Sequence, residues 1–491
     1  MNQADVKKIL EMGVLLSSEQ ELDCLLEYIL QCMMELARCD AGTLYLLDGD
    51  ALHFKIMRND TLGTYSGGSR PAPNLPPVPL RRENVCALAL IENRIIRIQD
   101  VKNCREYDFS GPIRYDAMTG YNTQSMLVAP MRNREGDKIG VIQLINAMDS
   151  EKRVCEFAEE LVLVVESAAS QAAITIQNAR YVSEIKELFR SFVRVMSSAV
   201  DELTPYNGSH TRHMAEYGNR FLDYLNQKAE QAGKTPPFPP ARREELLMSV
   251  WLHDIGKLVI PLEVMNKETR LLPEQYRDFL HRMEVIRLRS EIDFLSGRIA
   301  AWERDTVVQR TWQAIQLVDA VNSAGFLPDE RLAELDALAD LTYTGEDAIF
   351  YPWLTAEEHA MLSIRKGTLS DAERKIMEGH VSTTGKFLSQ MRFSKELSHV
   401  PQWASAHHEL LNGSGYPNHL SGDAIPYEVR IITILDVFDA LVADDRPYKP
   451  GMPVEKALSI LQSMAEREGK LDPDLTRLFC QSKCWEKPGL T

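Results

Sequence analysis

Histidine and aspartate residues recur in the C-terminal half of this sequence in pairs that suit metal binding. His407 and His408 are adjacent and precede the glycine-rich stretch NGSGYP, and His253 and Asp254 are adjacent at the end of an apolar run. An imidazole beside a carboxylate suits Mn, Fe, Ni, Co or Zn. Because both pairs fall in one half of the chain, they are difficult to explain as separate accidents. The sequence therefore predicts a polynuclear metal site.

Further candidate donors accompany these pairs. Asp436 and Asp439 lie three residues apart in the apolar stretch DVFDALVADDRPYK, where a carboxylate is costly unless it is paired or binds a cation. His210 lies near the start of a predicted helix, and His281 and His380 end two weakly similar segments. A single histidine is more often a core or surface residue, and a single helical aspartate is more often solvated or a cap. The prediction of a metal site therefore depends on the presence of all these candidate donors in one half of the chain.

The composition is that of a multidomain protein from a reducing compartment. The 491 residues are too many for one hydrophobic core, and 55 basic against 71 acidic residues give a formal charge of −16. So acidic a chain is a poor candidate for binding a nucleic acid polymer. The eight cysteines form no C-x-x-C pair, and neither a secretory signal nor a long apolar run is seen. We expect a cytoplasmic protein without membrane attachment.

Apolar periodicity divides the chain into an α+β region followed by a helical region. Residues 5–38 have helical spacing, and the Gly- and Pro-rich residues 62–80 are typical of a loop. Four strands are predicted around that loop, at residues 43–50, 51–58, 125–132 and 138–147. Residues 154–199 predict a long helix that dimerises as a coiled coil, or else two packed helices with an unseen break. From Asp201 onward the pattern is almost entirely helical.

The segments HDIGK, HHELLNGSGYP and DVFDALVADDRPYK resemble the HD-GYP family of bacterial cyclic dinucleotide phosphodiesterases. The resemblance covers about residues 191–465, apart from an insert. It implies an all-α domain of the HD phosphohydrolase type that hydrolyses cyclic di-GMP with two divalent transition metal ions. Fe or Mn is expected, with Ni, Co or Zn as alternatives. The implied ligands of the first ion are His210, His253, Asp254 and Asp436, and those of the second are His380, His407 and His408, with Asp254 bridging.

The same resemblance implies how the reaction proceeds. Two cations lower the pKa of a bridging water, and the resulting hydroxide attacks phosphorus. Asp254 and Lys257 are the implied catalytic residues, with Lys257 stabilising charge on the phosphate oxygens. The implied substrate-binding residues are Lys257, Gly415, Tyr416, Pro417, Arg446 and Lys449.

Two acidic residues are assigned to the surroundings of the ligands. Glu409 is expected to orient a ligand histidine, with an ordinary helix-end acid as the alternative. Asp439 is expected to lie behind the ligands rather than to be one. For Lys449, a solvated surface lysine is the alternative to phosphate binding.

The sequence departs from the family pattern in two places. Three-metal members carry a glutamate four residues before the first ligand histidine, whereas this chain has Tyr206 there, so two metals are expected. The 127 residues from His253 to His380 are far more than the family needs, which indicates a helical insert at about residues 282–365. His281 competes with His380 as a ligand, and we prefer His380 because the following residues, HVSTTGKFL, fit the family.

Residues 15–178 resemble a GAF domain, and the stretch YDAMTGYNTQSMLVAPMRNREGDKIGVIQLINA carries the likeness. It is most similar to GAF domains of cyclic-nucleotide phosphodiesterases. Their ligand motif begins with Asn-Lys; here Asn146 is followed by Ala147, and Phe157, Glu159 and Glu160 only approximate the remainder. A cyclic nucleotide, another small molecule, or no ligand at all remain open.

The sequence thus predicts a multidomain chain with an α+β sensory domain and an all-α enzyme domain. The predicted ranges are 1–14 for a helix start, 15–178 for the GAF domain, 154–200 for a connecting helix, 201–475 for the HD-GYP domain and 476–491 for a tail. The predicted function is GAF-regulated hydrolysis of cyclic di-GMP by a homodimer. One alternative is hydrolysis of cyclic GMP-AMP or another cyclic dinucleotide. The other is a non-hydrolysing cyclic dinucleotide sensor that acts through partners.

Overall fold

The computed structural model describes residues 22–133, 135–203, 209–345, 349–443 and 451–486. The chain divides into two compact units, with the boundary between Arg190 and Ser191. Among the described residues, no helix combines the length and the apolar content that crossing a bilayer requires.

The N-terminal unit is built on an antiparallel sheet. Its strands are β1 (Cys39–Asp48), β2 (Ala51–Asn59), β3 (Thr64–Gly67), β4 (Val78–Pro79), β5 (Ile96–Ile98), β6 (Met126–Arg132), β7 (Lys138–Met148) and β8 (Val154–Cys155). Their order is β3-β2-β1-β7-β6-β5, with β4 beside β2 and β8 beside β7. Residues 62–80, predicted to be loop, contain β3 and β4, because strands this short carry too few residues for a detectable period.

Both faces of this sheet are buried. Its helices are α1 (Leu22–Ala37), α2 (Val85–Glu92), α3 (Ser110–Thr119) and α4 (Glu160–Glu202). Leu44 and Leu46 of β1 join a core with α1 and the first part of α4, whereas Tyr45 joins a core with α2 on the opposite face. Successive strand side chains point to opposite faces, so one strand supplies both cores. The predicted antiparallel sheet with flanking helices is confirmed.

Helix α4 has two different surfaces along its length. It begins at Glu160 rather than at residue 154, because Val154–Cys155 pairs with β7 as a strand, and it continues unbroken to Glu202. Val165, Ala168, Ala172 and Ile176 are fully buried in the first core of the sheet. Beyond them, large apolar side chains are exposed at Tyr181, Ile185, Leu188, Phe192 and Val195. The apolar stripe of the sequence is therefore a domain core in its first half and an open surface in its second.

The C-terminal unit is helical, as predicted, apart from one small hairpin. Its helices are α5 (His210–Gln231), α6 (Pro240–Leu252), α7 (Leu262–Met265), α8 (Pro273–Leu295), α9 (Ala301–Asn322), α10 (Asp329–Ala339), α11 (Ala356–Leu362), α12 (Asp371–Leu388), α13 (Val400–Ala404), α14 (Tyr427–Val442), α15 (Val454–Glu466) and α16 (Pro473–Ser482). The hairpin pairs β9 (Thr342–Thr344) with β10 (Phe350–Pro352). The main core joins α5, α6 and α14 to α16.

The inserted segment contains α8 to α11, and its first and last residues lie close together. Arg270 has no exposed surface, and its guanidinium donates to the carbonyls of Val321, Ala324 and Ile364. The segment also has its own apolar core. Arg270 thus closes the base of the segment, just before α12 carries His380 into the site.

We predict that Arg270→Met lowers the free energy of unfolding of the C-terminal unit by about 2–4 kcal/mol, because three backbone carbonyls lose their donor. Urea unfolding followed by tryptophan fluorescence measures the change. Arg298→Met, which removes an exposed arginine from the same segment, is the control and should change stability by less than about 0.5 kcal/mol. Equal effects of the two substitutions would contradict the role of Arg270.

Candidate metal centre

The predicted ligands come from separate segments of the C-terminal unit. His210 is the first residue of α5, and His253 and Asp254 join the end of α6 to a short 3-10 turn. His380 lies within α12, His407 and His408 follow α13, and Asp436 lies within α14. All seven side chains meet, although up to 226 residues separate them in sequence.

The Asp254 carboxylate is the centre of this arrangement. Its Oδ2 lies 3.2 Å from His253 Nε2 and 4.0 Å from His210 Nε2. Its Oδ1 lies 3.3 Å from His380 Nε2 and 3.9 Å from His407 Nε2. The two oxygens of one carboxylate therefore face two different groups of imidazoles, as a bridging ligand requires.

Asp436 also reaches both groups. Its Oδ1 lies 3.3 Å from His210 Nε2, and its Oδ2 lies 3.5 Å from His408 Nδ1. Two sets of three side chains have donor atoms within 4.8 Å of one another: His210, His253 and Asp254, which we call the first half-site, and His380, His407 and His408, the second half-site.

Backbone hydrogen bonds define which nitrogen each buried histidine presents. The Nδ1–H groups of His253, His380 and His407 donate to the carbonyls three residues earlier, at 2.7, 2.6 and 2.7 Å. Their Nε2 atoms therefore point into the centre, where they are buried and have no hydrogen-bond partner. Asp254 Oδ1 is orphaned in the same way. Because buried polar atoms normally have partners, these residues fit divalent metal ions.

Burial and neighbouring charges determine the protonation of the cluster. Burial lowers the pKa of His407 well below its usual value and that of His408 to about 4, so both rings are neutral and able to ligate. Burial by itself would raise the pKa of Asp254, but His253 and Lys257 outweigh it and hold that pKa well below its usual value. The carboxylate is therefore ionised.

His210 is held by two carboxylates. Its Nδ1 donates to Asp439 Oδ2 at 2.6 Å, behind the face that meets Asp436. Burial lowers the pKa of His210, but the hydrogen bonds to the two aspartates outweigh it and raise the pKa to about 10. A metal ion binding there must displace a proton. Asp439 thus lies behind His210, on the side of the ring away from Asp436.

His213 has a place in this arrangement that the sequence analysis did not assign. Its Nδ1 lies 3.6 Å from Asp439 Oδ1, and its ring stacks on Tyr217 with centroids 5.8 Å apart. The spacing of three residues from His210, on the same helix face, was the available signal.

The loop after His408 lies against the centre. The Tyr416 ring is 4.8 Å from the His408 ring, between Gly415 and Pro417. A Cβ atom on Gly415 would lie 2.4 Å from the His408 carbonyl oxygen, so this position requires glycine. Glu409 accepts hydrogen bonds from the amides of Asn418 and Leu420 at 2.7 and 2.9 Å. Its carboxylate thus holds the loop; the sequence analysis offered two roles for it, orienting a histidine or acting as an ordinary helix-end acid.

The other predicted residues have different outcomes. Lys257 Nζ lies 2.6 Å from Asp254 Oδ2, so it is at the centre. Arg446, Lys449 and Tyr206 lie outside the described residues. His281 is exposed on α8 and belongs to neither half-site. Of the two competing histidines, the structure therefore brings His380 to the centre.

Thr384 and Gly256 connect the two half-sites. Thr384 Oγ1 donates to the His253 carbonyl at 2.9 Å and accepts from the Gly256 amide at 3.0 Å. A Cβ atom on Gly256 would lie 2.0 Å from the His380 carbonyl oxygen. The turn after Asp254 therefore packs backbone to backbone against α12. The sequence analysis did not single out Thr384, which follows His380 by about one helical turn.

Comparison with known proteins identifies both parts of the chain. The GAF domain family model matches residues 21–176, and the HD domain family model matches residues 356–475, which include His380, His407, His408 and Asp436. The chain contains a GAF domain followed by an HD domain. This confirms the resemblance found in the sequence. The matched residues begin at 356, whereas the residues of the first half-site come earlier in the sequence, before the inserted segment.

Curated relatives share parts of the chain. A cyclic di-GMP phosphodiesterase of Thermotoga maritima is 35% identical over 266 residues, 54% of this chain and 56% of the relative. The cyclic di-GMP phosphodiesterase response regulator RpfG of Xanthomonas campestris pv. campestris is 30% identical over 228 residues, 44% of this chain and 58% of the relative. The 3'3'-cGAMP-specific phosphodiesterase 3 of Vibrio cholerae is 42% identical over 98 residues, 20% of each chain. The chain thus spans from a fifth to somewhat over half of the length of these relatives.

We predict that Gly256→Ala weakens the metal centre, because the added methyl group forces the turn away from α12. Overpacking of this kind costs about 1–3 kcal/mol, measured by thermal unfolding with and without Mn²⁺, and bound metal should fall in parallel. Gly379→Ala is the control, because a Cβ atom beside His380 meets nothing within 4 Å. Equal metal content in the two variants would contradict this account.

Proposed function

We propose that the protein is a metal-dependent phosphodiesterase that hydrolyses cyclic di-GMP with two divalent transition metal ions. One observation carries the proposal: three buried Nε2 atoms and Asp254 Oδ1 converge from three separate segments of the chain without hydrogen-bond partners. A protein interior that served packing alone would pair such atoms or exclude them. The activities for which the relatives are named support the substrate class, and those named for 3'3'-cGAMP make that dinucleotide the second candidate substrate.

The two half-sites divide the ions between them. His210, His253, Asp254 and Asp436 would hold one, and His380, His407 and His408 the other, with Asp254 shared. Neutral imidazole and carboxylate donors suit Fe or Mn, and also Ni, Co or Zn. Bound divalent ions supply Lewis acidity and lower the pKa of a coordinated water, so that a nucleophile exists at neutral pH.

The side chains around the half-sites suit a phosphodiester anion. Two dications outweigh the charges of Asp254 and Asp436, and Lys257 adds a further positive charge. The centre is therefore positive although the whole chain carries −16. Lys257 would stabilise charge that develops on the phosphate oxygens. Tyr416, beside His408, offers an aromatic face at the substrate side of the loop.

The proposal includes a homodimer joined through the second half of α4. The exposed apolar side chains there follow one another at intervals of four, three, four and three residues, which is the seam of a coiled coil. Their exposed fractions run from 45% to 71%, which is high for large apolar groups that lie in one row. The seam consists of Tyr181, Ile185, Leu188, Phe192 and Val195.

Hydrolysis tests the enzyme directly. Protein purified anaerobically with Mn²⁺ or Fe²⁺ is assayed with cyclic di-GMP and 3'3'-cGAMP in parallel, and bound metal is counted on the same samples. We expect two metal ions and turnover in the wild type, and a loss of about a thousandfold or more in Asp254→Ala because the shared ligand is gone.

Asp423→Ala, which removes a fully exposed carboxylate, should keep both metals and full activity. Two bound metals without turnover of either dinucleotide would contradict the proposed substrates. Less than one metal per chain, with no turnover, would favour a non-hydrolysing sensor instead.

Substitution in the seam tests the dimer. We predict that Phe192→Asp converts a dimeric wild type into a monomer in sedimentation equilibrium, because a charge would be buried in the coiled coil. Ser183→Asp places the same side chain on an exposed position of the same helix outside the seam and should leave the dimer intact. A dimer that survives Phe192→Asp would exclude this interface.

A further inference from the structure

The last turns of α4 contact the start of the first half-site. Asp201 is buried, with 5% of its surface exposed. Its carboxylate accepts hydrogen bonds from the Thr211 amide at 3.2 Å and from Thr211 Oγ1 at 2.9 Å. Thr211 is the neighbour of His210, so the carboxylate at the end of α4 holds the turn of α5 that presents a proposed ligand.

A second contact from α4 reaches the other segment of the same half-site. Ser197 Oγ donates to the Trp251 carbonyl, two residues before His253. Val200, about one turn further along α4, is buried beside Thr211, Trp251 and Asp254. One helix end therefore packs against both segments that supply the first half-site.

The second half-site is held by other elements. Thr433 Oγ1 of α14 donates to the His407 carbonyl at 2.8 Å, and the Nδ1 of His380 is fixed within α12 itself. The hydrogen bonds that orient these two histidines come from α12, α13 and α14. The two half-sites thus receive different further supports, although they share Asp254 and are joined through Thr384 and Gly256.

We infer that Asp201 is a positioning residue for the first metal ion, through which the end of α4 controls the affinity of the first half-site and leaves the second unchanged. The inference rests on the proposed two-metal function and names the target of its regulation. Helix α4 is continuous from the buried GAF residues Val165–Ile176 to Asp201. A change in the GAF domain that shifts the C-terminal end of α4 would therefore first change the occupancy of the metal ion in the first half-site.

Two nearly isosteric substitutions in the full chain test the inference. Asp201→Asn replaces one acceptor oxygen by a donor that faces the Thr211 donors, and Thr211→Val removes only the hydroxyl. Apoprotein is titrated with buffered Mn²⁺, bound metal is counted, and electron paramagnetic resonance distinguishes an exchange-coupled pair from a single ion. We expect one affinity to fall about 10–100-fold, the other to stay within about twofold, and the coupled signal to give way to that of an isolated ion.

The control is a carboxylate with the same bonding pattern elsewhere. Asp108 accepts from the amide and the hydroxyl of Ser110, at 2.8 and 3.0 Å, in the GAF domain. Asp108→Asn should leave both Mn²⁺ affinities unchanged. If Asp201→Asn fails to fold, Thr211→Val carries the test, with equal thermal unfolding of both metal-free proteins as evidence that the fold is intact.

The outcomes separate this inference from the proposed function. A wild type that binds two ions and hydrolyses substrate, with variants that keep both ions or lose both together, would overturn the inference alone. A wild type that binds fewer than two ions would overturn the two-metal function and the inference with it. Selective loss of one ion in both variants, but not in Asp108→Asn, would support the role of Asp201.

Discussion

The structure of the HD domain depends on one buried carboxylate with imidazoles on both sides. Asp254 stays ionised because His253 and Lys257 outweigh the effect of burial on its pKa. Burial lowers the pKa of the His407 imidazole, and backbone carbonyls accept hydrogen bonds from the Nδ1–H groups of His253 and His407. A buried carboxylate thus stands at the meeting point of several imidazoles. Such an arrangement is poorly satisfied by protein atoms and well satisfied by cations.

Holding this arrangement together requires close backbone contact rather than apolar packing. The turn after Asp254 lies so near α12 that Gly256 has no room for a methyl group. Thr384 bonds to both sides of this contact. Polar atoms without partners destabilise the centre, and these rigid contacts prevent it from relaxing. Unsatisfied polar groups that persist in this way are typical of functional sites.

Two further features are connected to this centre. The inserted segment closes on itself through Arg270, just before α12 carries His380 into the centre. Helix α4 precedes the metal centre in the sequence. Near its C-terminal end, Asp201 accepts hydrogen bonds from the amide and the hydroxyl of Thr211. A long insertion is tolerated at such a closed base because the two ends of the segment are adjacent.

The sequence by itself determined the types of the donors, the helical class of the C-terminal unit and the GAF domain. Each of these features is indicated by a local sequence pattern, either by adjacent residues such as His253 and Asp254 or by the spacing of apolar side chains. The sequence already favoured His380 over His281, and the tertiary structure brings His380 beside His407 and His408. Only the tertiary structure related Glu409 to the loop and divided the apolar stripe of α4 into core and surface. The physical reason is that these outcomes depend on contacts between segments distant in the chain, which no local pattern encodes.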